Sequence, residues 1–328
     1  MSEPGTPSRR STLLGLLGAA FALACSHKDD VIVKTGADKK LTNEQIDADP
    51  IPLLPGGAIG VLYIDARALF ASKFGDKILA LVQRRAPVPA SAGFEPKRDL
   101  EQAWIGFYSM QGADAAGVVI GKFDPDKIAA AADGVQETPL GVPVTKTSYA
   151  GRNLYTAGKV GFSVLTPRTA FVGNDTGMRR ALDRIEEGRA RRQLPAYMDK
   201  LLESKAPLVG GADFTSNPLP NAAREELAFL EGVKTLALVG NFDEPGLNLA
   251  GTLTYGDEAA AQRAAQRLVS LRSMLERYAP FLALLGIAQP IQKLEVEPKG
   301  AELPFVVGVD GAAVAAILEK VQDFLGAR

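Results

Sequence analysis

From Ala58 onward the chain sets strand-like segments side by side in runs, and helix-like segments fall only between the runs. "AIGVLYID" is followed by "ARALFASKFGDKILALVQR" with helical spacing. "AWIGFYS" and "AGVVIGKF" then stand next to each other. "VPVTKTS", "RNLYTA", "VGFSVLT" and "TAFVG" make a second run, with turns at Gly151, Gly158 and Pro167. Parallel pairing needs a crossover of a dozen or more residues between partners, whereas adjacent strands on short turns pair antiparallel. This layout predicts an α+β fold, with a largely antiparallel or mixed sheet packed by helices.

The second half follows the same order. "APLVGGADF" is a strand and "NAAREELAFLEG" a helix. "KTLALVGNF" and "LNLAGTLTY" are a strand pair, and a long helix spans Asp257 to Tyr278. "IQKLEVEP" and "ELPFVVGV" are the last strands before "DGAAVAAILEKVQDFLG". Both halves end on an apolar strand, Gly, Asp and a helix ("AFVGNDTGMRRALDRI" and "PFVVGVDGAAVAAILEK"), as an internal duplication would leave them. Capping preferences at any strand-to-helix junction give the same local pattern. The expected bodies are residues 56–190 and 191–328, in an arrangement loosely similar to duplicated α+β domains of uncharacterised exported bacterial proteins.

The first 24 residues read differently. A polar stretch ends in Arg9-Arg10, and an apolar run from Leu13 to Ala24 meets Cys25. A basic start, a short apolar run and a small residue before the cut make a secretory signal. The run is shorter than the about 20 apolar residues that span a bilayer. "FALAC" (Phe21 to Cys25) resembles the lipobox of bacterial lipoproteins, although Ala22 stands where leucine is usual. "SRRSTL" (Ser8 to Leu13) resembles the twin-arginine export motif, with Thr12 where a hydrophobic residue is usual. The resemblance implies lipidation at Cys25, export through Arg9 and Arg10, and a mature chain starting at Cys25. Ser26 after the cysteine implies, by the common sorting rule, the outer membrane facing the periplasm. Residues 25–55, polar and closing on "DADPIPLLPGG", read as the lipidated start and a flexible tether.

Chemistry is narrowed by an absence. Cys25 and His27 are the chain's one cysteine and one histidine, so the body after residue 27 has neither. Hydrolases of the Ser-His-Asp or Cys-His kind, histidine-ligated zinc and iron centres, haem with His or Cys ligation and thiol redox chemistry are thereby excluded from it. "GVVIGKF" has three residues between its glycines and Phe123 after Lys122, so it lacks the spacing of a phosphate loop. Ser163 lacks the second glycine of a nucleophile elbow. Among carboxylates, Asp65 and Asp213 end the first strand of each half, and Asp124 and Asp310 start helices as caps do. Glu295, Glu297 and Glu302 alternate as on a wet sheet face. Arg189, Arg191 and Arg192 form a basic cluster suited to a solvated helix end or to anionic headgroups. Trp104 and Tyr108 share one strand face, and Ile105 and Phe107 the other. The long helix carries a stripe of Ala261, Ala264, Ala265, Leu268, Leu271, Leu275 and Tyr278.

Lys and Arg total 37 against 38 Asp and Glu, which gives no global charge for nucleic acid. The expectation is a lipid-anchored cell-envelope protein with a non-catalytic binding or structural role. It needs no cofactor or metal, meets the membrane through N-terminal acyl chains, and has an envelope protein as partner. Two alternatives are a periplasmic carrier of a hydrophobic ligand, with "PFLALLGIA" lining its pocket, and a carboxylate-based envelope glycan hydrolase.

Overall fold

The apolar segments pair in register, each antiparallel to its neighbours, and build one twelve-stranded sheet. The structure is a computed structural model describing residues 40–85, 88, 90–109, 114–133, 138, 141–189, 191–219, 227–279 and 289–316. The strands are β1 (Gly60–Asp65), β2 (Leu100–Ser109), β3 (Asp114–Gly121), β4 (Thr145–Tyr149), β5 (Arg152–Ala157) and β6 (Val160–Val164). They continue with β7 (Thr169–Gly173), β8 (Leu208–Asp213), β9 (Val233–Asn241), β10 (Gly246–Tyr255), β11 (Ile291–Val296) and β12 (Glu302–Asp310). Their spatial order is β11-β12-β10-β9-β8-β1-β2-β3-β7-β6-β5-β4. From the central β1–β8 pair, the order β1-β2-β3-β7-β6 runs one way and β8-β9-β10-β12-β11 the other. The β5–β4 hairpin extends the first side only, and turns through Ala150 and Gly151, both at positive φ. The fold is thus α+β with a large antiparallel sheet. Residues 40–328 form one unit, and the sheet continues without a break where the two expected bodies were to meet.

The helices are α1 (Asn43–Ala48), α2 (Ala66–Ala71), α3 (Gly75–Arg85), α4 (Pro96–Asp99), α5 (Pro125–Asp133), α6 (Asp175–Glu186), α7 (Ala196–Leu202) and α8 (Glu258–Arg277). Residues 311–316 are helical after β12. Side-chain caps explain most starts: Asp65 accepts from the Ala68 amide, Asn174 from Gly177 and Asp257 from Ala260.

Period-two alternation divides the sheet into two faces. On one face, Val61, Tyr63, Trp104, Val118, Phe171 and Val209 pack under α6 and α7. On the other, the register aligns apolar side chains strand after strand. Tyr155, Phe162, Val172, Gly117, Ile105, Leu62, Gly210, Leu238, Gly251, Phe305 and Val296 form a single row across β5 to β11. Beside it lies the row Val164, Ala170, Val119, Ala103, Ile64, Leu208, Gly240, Leu249, Val307 and Leu294. Three groups of helices pack on this face. α8 buries Ala261, Ala264 and Ala265 against Leu253 and Leu303. α2 and α3 bring Phe70, Phe74 and Ile78 to Leu247 and Val309. α5 brings Ile128 and Ala131 to Tyr155 and Phe162.

Three local expectations need correction. The tether was placed up to Pro55, yet residues 41–54 are built into the body. Thr42 and Gln45 close a capping box on α1, and Leu41, Ile46, Ile51, Leu53 and Leu54 are buried. The helical segment after β1 breaks into α2 and α3, because Ser72 to Phe74 turn the chain; a Cβ on Gly75 would overlap the Phe70 carbonyl. In "NAAREELAFLEG", Ala228–Leu230 form one 3-10 turn with no side-chain cap, and 220–226 lie outside the described residues.

Candidate binding site

The four aspartates weighed for catalysis are engaged in backbone work. Asp65 caps α2, Asp124 accepts from the Lys127 amide, and Asp213 from Thr215. Asp310 accepts from the amides of Ala312 and Ala313. The Asp213 amide reaches the Ile59 carbonyl, six residues before Asp65 on β1. At about 3.3 Å per strand residue the two are about 20 Å apart. Paired glycosidase carboxylates stand about 5 to 9.5 Å apart, so this pair does not form one. Glu295 and Glu297 are exposed, and Glu295 pairs with Lys293 at 3.2 Å. Ser163 is buried, and its hydroxyl donates to the Asn153 carbonyl at 2.8 Å. Gly117 and Gly121 lie within β3. Among the described residues no group of three or more His, Cys, Asp or Glu is placed to hold a metal ion. Arg9, Arg10, Cys25 and His27 lie outside the described residues, as does "PFLALLGIA".

The basic cluster is put to structural use. Arg189 pairs with Glu187, and Arg192 makes a two-oxygen contact with Asp49 at 2.9 Å. Arg184, buried just upstream, donates to the Pro52 carbonyl (2.6 Å), to Gln193 Oε1 (2.9 Å) and to the Arg191 carbonyl (2.9 Å). Burial lowers its pKa. Asp47 Oδ1 accepts from Thr166 Oγ1 (2.5 Å) and Thr169 Oγ1 (2.7 Å). Lys40 pairs with Glu186. These contacts pin residues 40–54 across α6 and the β6–β7 turn.

Trp104 packs on Tyr63 at a ring distance of 4.7 Å, on the face under α6. Tyr108 folds over Gly106, and burial raises its pKa. Neither ring is presented as a stacking platform, and their face is core, as the strand alternation predicts.

One groove on the surface combines polar side chains with apolar walls; the Gln262 amide donates to Glu258 Oε1 at 3.0 Å. It lies between α8 and the end of β11, has a volume of about 480 Å³, and is lined by Gln262, Ala265, Gln266, Val269, Ser270, Val296 and Pro298. α8 is positioned by the Asp257 cap and by its buried alanines. Small residues let the helix lie close on the sheet, and the next face of the helix then overhangs the sheet edge. Val269 is 51% exposed there, and Met274 and Tyr278 are exposed further along. The stripe expected to run to Tyr278 is therefore buried at its alanine end, while Leu268, Leu271 and Leu275 are half-buried and Tyr278 is exposed. The groove was not anticipated; its sequence signal is Gln262, Gln266 and Ser270, neutral polar residues at helical spacing beside the apolar stripe.

The middle of the apolar sheet face is the second surface of interest. Leu62, Ile105, Val119, Leu238, Leu249 and Val307 are each half-buried. By register they stand between the rows used by α8 and those used by α2 and α3. Leu62 and Leu238 lean toward Gly210, as a Cβ there would meet them at 3.1 and 3.5 Å, which flattens the face.

No family model matches this sequence, and no curated protein does. Among solved structures, crystal form III of TP0453 is similar, with a TM-score of 0.53 at 13% identity over 83% of this chain and 98% of that one. Crystal form I of TP0453 aligns with a TM-score of 0.49 at 12% identity, over 83% and 97%. At this identity the likeness to form III is one of fold. Among the described residues no helix is long and apolar enough to cross a membrane.

Proposed function

We propose that this chain is a lipid-anchored cell-envelope protein whose folded body binds a partner and catalyses no reaction. The observation that carries the non-catalytic part is the fate of the carboxylates. Asp65, Asp124, Asp213 and Asp310, the aspartates weighed for chemistry in a body without His or Cys, all serve as caps or turn acceptors, and Glu295 pairs with Lys293. The anchoring part rests on the lipobox resemblance at Cys25 and the signal with Arg9 and Arg10. An acylated Cys25 is a thioether and takes no part in nucleophilic or metal chemistry. More than one acyl chain is needed for stable attachment. The anchor would face the periplasm from the outer membrane, and residues 26–39 would join it to the body at Lys40. An internal duplication accounts for the matched strand orders on the two sides of the β1–β8 pair.

Cell fractionation tests the anchoring. The chain is expected in the membrane fraction, and Cys25→Ser in the soluble envelope fraction. Arg9→Lys with Arg10→Lys is expected to keep the precursor inside the cell. An unchanged distribution of the cysteine variant contradicts attachment through Cys25.

A second reading, a carrier of a hydrophobic ligand, is favoured by the half-buried apolar strip around Leu62, Ile105, Leu238 and Leu249. Native mass spectrometry of protein purified without detergent tests it. A lipid adduct lost in Leu238→Gln supports this reading, and ligand-free protein contradicts it.

A further inference from the structure

We infer that the edge of β11 and the groove under α8 together receive an extended peptide segment, added to the sheet as a thirteenth strand. The inference rests on the binding role proposed above and names its site and the chemistry of its partner.

The backbone of β11 supplies the first half of the argument. β11 is the end of the strand order, paired on one side with β12 only. The Lys299 amide donates to the Glu302 carbonyl, and the Glu302 amide to the Lys299 carbonyl. That exchange makes Lys299 and Glu302 a hydrogen-bonded pair, and such pairs alternate with non-hydrogen-bonded ones along an antiparallel ladder. Counting back in the same register, Val296 opposite Phe305 and Leu294 opposite Val307 are non-hydrogen-bonded pairs. Their N–H and C=O groups therefore point away from β12, out of the edge. Among the described residues no backbone or side-chain partner meets them. Water can satisfy them in the free chain, and another backbone, with donors and acceptors at the same repeat, would satisfy both residues at once.

The side chains supply the second half. Leu294 and Val296 project to the face that α8 covers, and Val296 lines the groove with Ala265 and Val269. Residues of an added strand opposite them would project the same way, into a space of about 480 Å³ with an apolar floor and the amides of Gln262 and Gln266 on its wall. Residues between them would project to the other face, beside Lys293, Glu295 and Glu297, which are exposed. The matching segment has apolar residues at every second position and polar ones between. A strand laid between a sheet edge and a helix is an established way of binding extended peptides. The bulge between Ile291 and Lys293, and Pro298 beyond the strand, limit pairing to the short stretch around Leu294 and Val296.

The test uses the full chain carrying Cys25→Ser and a fluorescein-labelled decapeptide of alternating Val and Thr. Fluorescence anisotropy is expected to show saturable binding. N-methylation of the amides on one edge of the peptide should weaken it at least tenfold, since it removes the donors and keeps the side chains. Val269→Lys should weaken it at least tenfold without changing the thermal midpoint, while Met274→Lys, outside the groove, should leave it unchanged. Absence of saturable binding, or binding indifferent to both N-methylation and Val269→Lys, would overturn the inference. A concentration-dependent dimer in sedimentation, dissolved by Val269→Lys, would overturn it too, by giving the edge to a second copy of this chain. The broader binding role fails separately. It falls if the membrane-bound chain forms no site-specific crosslink to any envelope protein from positions placed across its whole exposed surface.

Discussion

Arg184 Nε donates to the carbonyl of Pro52 at 2.6 Å inside the core, joining two residues 132 apart in sequence. Its other nitrogens hold Gln193 and the Arg191 carbonyl, so one guanidinium ties the segment before β1 to the chain that leaves α6. Arg184→Met should destabilise the fold by about 1–3 kcal/mol, the cost of leaving buried acceptors unpaired. Arg184→Lys should not restore it, since an ammonium lacks the planar fork that reaches all three acceptors. Urea denaturation measures both.

The same contacts make the start of the body a part of the fold. A chain beginning at Lys40 should unfold at the urea midpoint of the longer chain. One beginning at Gly56 loses Leu41, Ile46, Ile51, Leu53 and Leu54, each buried. At about 1.5–3 kcal/mol per buried aliphatic side chain, the loss rivals a typical domain's whole stability of about 5–15 kcal/mol. That truncation is expected to be insoluble or unfolded by circular dichroism.

Asp99 makes a pH-dependent contribution. It is 5% exposed and accepts two hydrogen bonds from Arg98 at 2.7 Å and one from the Glu95 amide at 2.8 Å. Hydrogen bonding from Arg98, then the Glu95 amide, holds its pKa below the ordinary value of 3.8, against the opposing effect of burial. A carboxylate whose pKa is lowered by folding adds stability above its unfolded pKa and loses it as pH falls through the folded one. Asp99→Asn should therefore cost about 1–3 kcal/mol at pH 7. Its deficit against the parent should shrink as pH drops below about 4. A deficit constant from pH 7 to pH 2 in denaturation curves would contradict this.

Gly251 and Ala250 are adjacent on β10 and point to opposite faces. A Cβ on Gly251 would overlap the Ala237 carbonyl and stand 2.8 Å from Phe305 Cζ. Gly251→Ala should cost about 1–3 kcal/mol through overpacking. Ala250 is exposed, and Ala250→Ser should change stability by less than about 0.5 kcal/mol. Paired thermal melts of the two variants check the assignment of faces.

Much of the fold was legible because strand alternation and caps are local. The segments "KTLALVGNF" and "LNLAGTLTY" appear as β9 and β10, and Asp257 caps the long helix as its position suggests. The start of the body was hidden for a physical reason. Its anchoring residues are charged (Asp47, Asp49, Arg184, Arg192), and charge reads as solvation until a distant partner is known. Thr42 to Gln45 did carry a capping signature, though in a stretch where only Ile46 of α1 is buried. The groove was illegible for another reason. It arises because β11 falls at the sheet edge beneath α8, and edge position is a property of topology that no single segment encodes.

The most direct test of the account is the mass of the mature N-terminal peptide, taken from protein extracted from bacterial membranes. The account predicts a peptide beginning at Cys25, with the mass of diacylglycerol on its sulfur. A mature chain beginning elsewhere, or an unmodified Cys25 in membrane-derived protein, would contradict it.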